Sequence, residues 1–271
     1  MDTVNSAVNS AVNIKGTTRL YAVLGDPVAQ VRAPALLNPL FAGLGLDAVL
    51  VPVEVAPAGL AAAVRGLTAV RNLDGLLVTV PHKTGCRALA DRVTEAAALS
   101  GSVNALRRLP GGGWEGANFD GEGFVRGLRA AGHEPRGATV CLAGAGGAGS
   151  AMTVALLQAG AHVTVWDADA DRAAALAARL TPHFPGRLAA APGHVDADLA
   201  VNATPAGLRP GDPLPFRPAA LRPGTVVADI IMSPRRTALL RAAEDSGLAV
   251  HHGEPMLAEQ IALYREFFGL G

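Results

Sequence analysis

The stretch LLVTVPHKTG, Leu76 to Gly85, carries an apolar run that reads as a buried strand and then, after Pro81, presents His82 and Lys83 where a helix should begin. A lone lysine in a first helical turn is ordinarily a solvated charge. Held within hydrogen-bond reach of an alcohol or carbonyl oxygen, the same group can move a proton to or from it. His82 reads as structural.

A second constellation lies further along. Gly144-Ala145-Gly146-Gly147-Ala148-Gly149 contains G-x-G-x-x-G, a weak signal by itself in a chain with 32 glycines. Here it follows the apolar run Thr139 to Ala143 and opens the helical stretch Ser150 to Gln158. In that context backbone N–H groups and a helix dipole face a pyrophosphate. The next strand, His162 to Trp166, ends at Asp167, about 20 residues past the glycines, where a dinucleotide-binding acid belongs. A carboxylate there accepts hydrogen bonds from both ribose hydroxyls and repels a 2′-phosphate, so Asp167 favours NAD, with NADP the second choice. The competing role for a member of the run Asp167, Asp169, Asp171 is to cap the following helix.

Other reactive side chains form no such pattern. His251 and His252 are adjacent on a strand and point to opposite faces, so no metal site is expected. Cys86 and Cys141 are far apart, outside any metal or redox spacing, and read as small buried residues of a reducing compartment.

These residues need elements to position them. From Arg19, strand-like runs (LYAVLG, AVLVPVEV, GLLVTV) alternate with Ala- and Leu-rich helical stretches such as Ala56 to Leu67, the cadence of an α/β chain with a largely parallel sheet. A glycine-rich stretch, LPGGGWEGANFDGEG at Leu109 to Gly123, has hairpin or linker character. A second series follows: ATVCLAGAGGAGSA, AHVTVWD, DADLAVNAT, GTVVADII and GLAVHHG give five strand-like segments, as in a doubly wound nucleotide domain. The C-terminal stretch EPMLAEQIALYREFFG places Met256, Leu257, Ile261, Tyr264 and Phe268 at helical spacing. Val4 to Asn13, VNSAVNSAVN, is a short near-repeat that reads as a loose extension.

The bulk properties agree with a two-domain protein acting on a small molecule. The chain has 271 residues, 50% hydrophobic and 17% charged, and its 23 Lys plus Arg balance 23 Asp plus Glu. No net field draws it to nucleic acid or anionic lipid. No apolar run approaches the roughly 18 residues of a membrane span. Met1 to Asn13 lacks the basic start and apolar segment of a signal peptide, so a cytoplasmic protein is expected.

Taken together, VTVPHK, GSVNAL, NFDGEGF, LAGAGGAG, VNATPAGL, DIIMSPRRT and GEPMLAEQ stand in the order and approximate spacing of the shikimate dehydrogenase family, and GDPVAQVRAP resembles its N-terminal substrate loop. The resemblance covers nearly the whole chain from Arg19. It implies an N-terminal α/β substrate domain (18–119, after an extension 1–17) completed by a returning C-terminal helix (253–271). A Rossmann-type domain (120–252) faces it across an active-site cleft. By the same resemblance Lys83 is the catalytic lysine and Asp120 its partner, while Thr79, Asn104 and Gln260 bind ring hydroxyls. The cofactor positions are Gly144, Gly146, Gly147, Gly149, Asp167, Asn202 and Thr204. The implied activity is reversible hydride transfer between a nicotinamide dinucleotide and a secondary alcohol of a cyclic polyhydroxy acid, by a monomer or homodimer.

Several positions depart from the family pattern. Two serines that hold the substrate carboxylate are Val31 and Ala33 here, the tyrosine of D-x-x-Y-x-P is Met232, and the threonine of N-T-D-G is Phe119. The N-R-T motif that holds an NADP phosphate aligns with Asp167-Ala168-Asp169. Groups for proton transfer and ring hydroxyls are kept, and those for the carboxylate and 2′-phosphate are replaced. The expectation is an atypical dehydrogenase whose substrate is shikimate bound differently, quinate, an amino analogue or another cyclitol. The alternative of another class is a non-catalytic dinucleotide sensor, against which the retained Lys83 and Asp120 count. A folate-interconverting dehydrogenase ranks last, because it leaves GSVNAL, NFDG and MLAEQ unexplained.

Overall fold

The computed structural model describes residues 14–271, so residues 1–13 of the expected extension lie outside the described residues. The first half of the chain runs β1 (Arg19–Gly25), α1 (Ala33–Gly43), β2 (Ala48–Glu54), α2 (Leu60–Thr68), β3 (Leu73–Val78), α3 (Lys83–Arg87), β4 (Arg92–Val93), α4 (Glu95–Ser100), β5 (Ala105–Arg108) and β6 (Trp114–Ala117). The second half runs α5 (Asp120–Ala130), β7 (Thr139–Ala143), α6 (Gly147–Gln158), β8 (His162–Trp166), α7 (Ala170–Leu180), β9 (Leu188–Ala190), β10 (Leu199–Asn202), β11 (Val226–Asp229), α8 (Ala238–Asp245), β12 (Ala249–His251) and α9 (Glu254–Phe268).

The first sheet has the order β2-β1-β3-β5-β6-β4. β1 pairs parallel with β2 and β3, but β5 is antiparallel to both β3 and β6, so this sheet is mixed. The glycine-rich stretch after Leu109 is its β5–β6 hairpin, closed by the Leu109 N–H donating to the Gly113 carbonyl. Alternation along β1 sends Tyr21 and Val23 to one face, packed with Phe41, Tyr264 and Phe267. Ala22 and Leu24 go to the other, against Leu60, Val64 and Trp114. At roughly 1.5–3 kcal/mol for each large apolar side chain removed from water, these two layers hold the unit together, and α9 is part of one of them.

The second sheet, β12-β11-β10-β7-β8-β9, is entirely parallel. Its chain order is that of the doubly wound dinucleotide fold, with the switch point between β7 and β10. It contains a sixth strand, β9, too short and too alanine-rich (LAA) to stand out in the sequence. The helix after the glycine loop begins at Gly147, one turn earlier than Ser150, because the loop glycines themselves supply its first N–H groups.

Helix α5 connects the two units and is an unlikely helix by composition. It contains Gly121, Gly123 and Gly127, each about 0.5–1 kcal/mol worse than alanine in a helix. Packing explains them. A Cβ on Gly121 would lie 2.1 Å from the Ala151 carbonyl oxygen of α6, and one on Gly123 would lie 2.5 Å from the Met256 carbonyl oxygen of α9. The bare backbone lets α5 lie against both helices. Gly121→Ala should therefore destabilise the protein by about 1–3 kcal/mol, although alanine is the better helix former. Denaturant unfolding checks the sign, and an equal or higher midpoint would show that the close approach is not required.

Candidate active site

β3 ends at the mouth of the second unit. After it, Thr79 and the cis Val80–Pro81 bond turn the chain into α3, with His82 as the N-cap residue and Lys83 first in the helix. His82 is buried, and its Nε2 sits 2.6 Å from the Val55 carbonyl oxygen, which anchors the turn. The Lys83 carbonyl accepts from the Val103 N–H, tying α3 to the loop that carries Asn104. The lysine's place is thus set by backbone on both sides.

Lys83 Nζ lies 2.5 Å from Asp120 Oδ2, with side-chain exposures of only 12% and 4%. Asp120 opens α5, and its own N–H donates to Asn118 Oδ1 at 3.0 Å. Its second oxygen, Oδ1, accepts from Asn104 Nδ2 at 3.0 Å and from Gln260 Nε2 at 3.4 Å. Four of the five residues expected at the substrate therefore meet in one network. Thr79 stands apart from it on the β3–α3 turn, packed against Gly25, where an added Cβ would come within 2.6 Å of the Thr79 methyl.

The network touches the glycine loop directly. Ser102 Oγ donates to the Gly147 carbonyl at 2.8 Å, and Asn118 Nδ2 donates to Ser102 Oγ at 2.8 Å. A Cβ on Gly147 would lie 2.8 Å from the Lys83 Cβ, so this glycine is where the lysine stem rests. The loop itself is cut to the backbone: Gly144 has φ +105°, and a Cβ on Gly149 would lie 1.9 Å from the Gly144 carbonyl oxygen. Around Gly146 there is open space where a side chain would stand. That cradle fits a phosphate group approaching along the N-terminus of α6.

Asp167 stands beside the loop. Its Oδ2 accepts from the Ala145 N–H at 2.7 Å and its Oδ1 from the Asp169 N–H at 2.9 Å. The cap of α7 is Asp169, whose side chain accepts from the Asp171 N–H and pairs with Arg172 at 3.3 Å. Asn202 is fully buried at the end of β10. Its amide donates to the Ala206 carbonyl and to Asp229, and its Oδ1 accepts from the Thr204 N–H and hydroxyl. Both side chains shape the loop beside Gly144, whose Cβ would meet the Ala203 carbonyl and the Thr204 methyl. Asp229, braced by the Ile231 N–H and the Thr237 hydroxyl, is pushed up to about 6 by burial against the pull of those bonds.

The departures in the N-terminal loop have a structural counterpart. Ala33 is buried, and Val31 packs against the same core as Leu37 and Phe41. Arg32 between them donates to Glu254 Oε1 at 2.9 Å, and Arg235 donates to Glu254 Oε2 at 2.6 Å, so the two arginines share one carboxylate. These contacts hold the Glu254 carboxyl below its usual range, Arg32 first and Arg235 second. Sequence reasoning did not single out Ser102, Asn118 or the Tyr264 hydroxyl. The first two sit within GSVNAL and NFDG and could have been found there; Tyr264 was legible only as one apolar residue of a helix face.

Among the described residues, no helix is long and apolar enough to cross a membrane and no group of three or more His, Cys, Asp or Glu could hold a metal. The family model of the shikimate dehydrogenase substrate binding domain matches residues 23–106. A shikimate dehydrogenase (NADP(+)) from Rubrobacter xylanophilus is 45% identical over 260 residues, covering 93% of this chain and 90% of that protein. The crystal structure of shikimate dehydrogenase from Aquifex aeolicus superposes with a TM-score of 0.84 at 32% identity, covering 95% of each chain. That of a 5-ketofructose reductase from Gluconobacter superposes with a TM-score of 0.79 at 32% identity, covering 93% of this chain and 92% of the other. With this identity along almost its whole length, the chain belongs to the shikimate dehydrogenase family.

Proposed function

We propose that this protein is a nicotinamide-dependent dehydrogenase that interconverts a secondary alcohol and a ketone on a polyhydroxylated ring, with shikimate and 3-dehydroshikimate as a weakly held pair. The observation that carries the proposal is the Lys83 Nζ to Asp120 Oδ2 contact of 2.5 Å, buried against the glycine loop. In this reading residues 18–119 with 253–271 hold the ring, and 120–252 hold the dinucleotide. When bound, the dinucleotide supplies the hydride acceptor and donor. The glycines 144, 146 and 149 and the start of α6 would hold its pyrophosphate, and Asp167 its ribose.

The chain's own residues handle the proton. In reduction the Lys83 ammonium gives a proton to the carbonyl oxygen as that oxygen gains charge; in oxidation the lysine nitrogen removes it from the hydroxyl. Asp120 keeps Nζ aimed and stabilises the charged form. Gln260, Asn104 and Thr79 supply donors and acceptors to the remaining hydroxyls.

The substrate acid group is where we depart from the relatives. Hydrogen bonds to a charged group contribute roughly 1.5–3 kcal/mol each, so losing two hydroxyl donors costs roughly 3–6 kcal/mol, or about 10²–10⁴ in affinity. Val31 and Ala33 offer no hydroxyl, and Arg32 is engaged by Glu254. This supports a ring whose acid group is absent or placed elsewhere, and the similar 5-ketofructose reductase is named for a sugar ketone. For the dinucleotide we take NAD as preferred, unlike the NADP-named relative, because Asp167 stands beside the loop and Arg172 is paired with Asp169.

Steady-state assays of shikimate, quinate, cyclitols and sugar ketones with both dinucleotides test these points together. Turnover of at least one such ring is expected, with KM for shikimate falling on Val31→Ser with Ala33→Ser. No turnover across the panel would leave the sensor reading in its place. NAD should exceed NADP in kcat/KM by about tenfold or more, the scale of 1.4 kcal/mol, and Asp167→Ala should narrow the gap. A wild-type preference for NADP would remove Asp167 from this role. Lys83→Ala should lower kcat by about 10²-fold or more with dinucleotide affinity unchanged, the range for loss of a positioned acid-base group. Wild-type turnover in that variant would sink the proton-transfer assignment.

A further inference from the structure

An amide side chain has a donor end and an acceptor end, and something must decide which end faces a ligand. For Gln260 the deciding contact comes from one turn further along α9. The Tyr264 hydroxyl donates to Gln260 Oε1 and accepts from Asn104 Nδ2 at 3.1 Å. Asn104 Nδ2 also lies 3.1 Å from Gln260 Oε1. Asn104 Nδ2 shares its two hydrogens among these two acceptors and Asp120 Oδ1, so the Tyr264 hydroxyl is the donor dedicated to the Gln260 amide oxygen, whose Nε2 is turned toward Asp120.

The direction of this chain is set at both ends. Asp120, paired with Lys83, can only accept. The Phe119 N–H, 2.9 Å from Asn104 Oδ1, can only donate. Between them, Asn104 must send its Nδ2 toward Asp120, Tyr264 and Gln260, and Gln260 must send its Nε2 toward Asp120. Burial, and then the Asp120 charge, raise the Tyr264 phenol well above its usual range, so it keeps the hydrogen it donates. Its ring is fixed edge-on by Phe119, with centroids 5.6 Å apart at 85°, the residue that stands where the family pattern has threonine.

We propose that Tyr264 is a positioning residue that locks Gln260 with its amide nitrogen toward the active site, making Gln260 a hydrogen-bond donor to an oxygen substituent of the ring. The proposal rests on the functional reading above, in which Gln260 contacts the substrate. A ring oxygen, as hydroxyl or carbonyl, matches a donor at this position. An ammonium in its place meets donor against donor and is rejected.

The test uses the full chain with the best ring substrate of the panel. Tyr264→Phe keeps the aromatic packing and removes only the hydroxyl. It should raise KM for the ring about tenfold, the scale of one hydrogen bond, with kcat within about twofold and dinucleotide affinity and melting temperature close to wild type. A second arm separates positioning from general support. In a Gln260→Ala background, Tyr264→Phe should change KM by less than about twofold, because the group it orients is gone. An unchanged KM in the single variant, or the same tenfold rise with and without Gln260, would overturn the proposal while leaving the dehydrogenase reading intact. A wild type that turns over no ring at all would overturn both.

Discussion

An ammonium and a carboxylate held together out of water are the constraint around which this molecule is arranged. Removing each charge from water costs several kcal/mol, and their attraction repays that only when the remaining hydrogen-bonding capacity is met. Asp120 meets it with Lys83 on one oxygen and the Asn104 and Gln260 amides on the other. The pair draws on four separate parts of the chain: the turn after β3, the loop before β5, the start of α5, and α9. Each has to come close, and the sequence gives up side chains to allow it. Gly121 and Gly123 remove bulk between α5 and its neighbours, and Gly147 clears the place where the lysine stem lies.

The same constraint explains what has changed and what has not. Substitutions around the carboxylate position do not touch the pair. Val31 and Ala33 exchange polar surface for core packing, and Arg32 and Arg235 spend their charges on Glu254, in exposed pairs that contribute little stability. Phe119 and Tyr264 form an aromatic wall behind the amides. In the proposed reading, chemistry at the reacting oxygen is thereby separated from recognition of the rest of the ring, so the substrate can drift while Lys83 and Asp120 stay in place.

Much of this was legible in the sequence, for physical reasons. The glycine loop announced itself because a strand-to-helix turn this tight tolerates no side chain at Gly144 or Gly149, and Lys83, Asp120, Asn104 and Gln260 stood in ordered motifs. The mixed first sheet was harder: the glycines after Leu109 can make a linker or a hairpin, and only pairing with β3 decides. Strand β9 carries no apolar signal of its own. Tyr264 was hidden because helical spacing reports which face a residue occupies, not that its hydroxyl ends in a buried polar network. Asp167 was found by its interval from the glycines, but its bond to the Ala145 N–H depends on a loop conformation that no residue pattern records.

In the proposed reaction a single nitrogen, Lys83 Nζ, moves the proton. Its most direct test is to supply that nitrogen from solution to the Lys83→Ala protein. With a small primary amine such as ethylamine, turnover should rise with amine concentration, by about tenfold or more before saturation if the amine enters the vacated site as the acid-base group. The wild type should not respond. A variant that already turns over near the wild-type rate, with no response to added amine, would contradict the account.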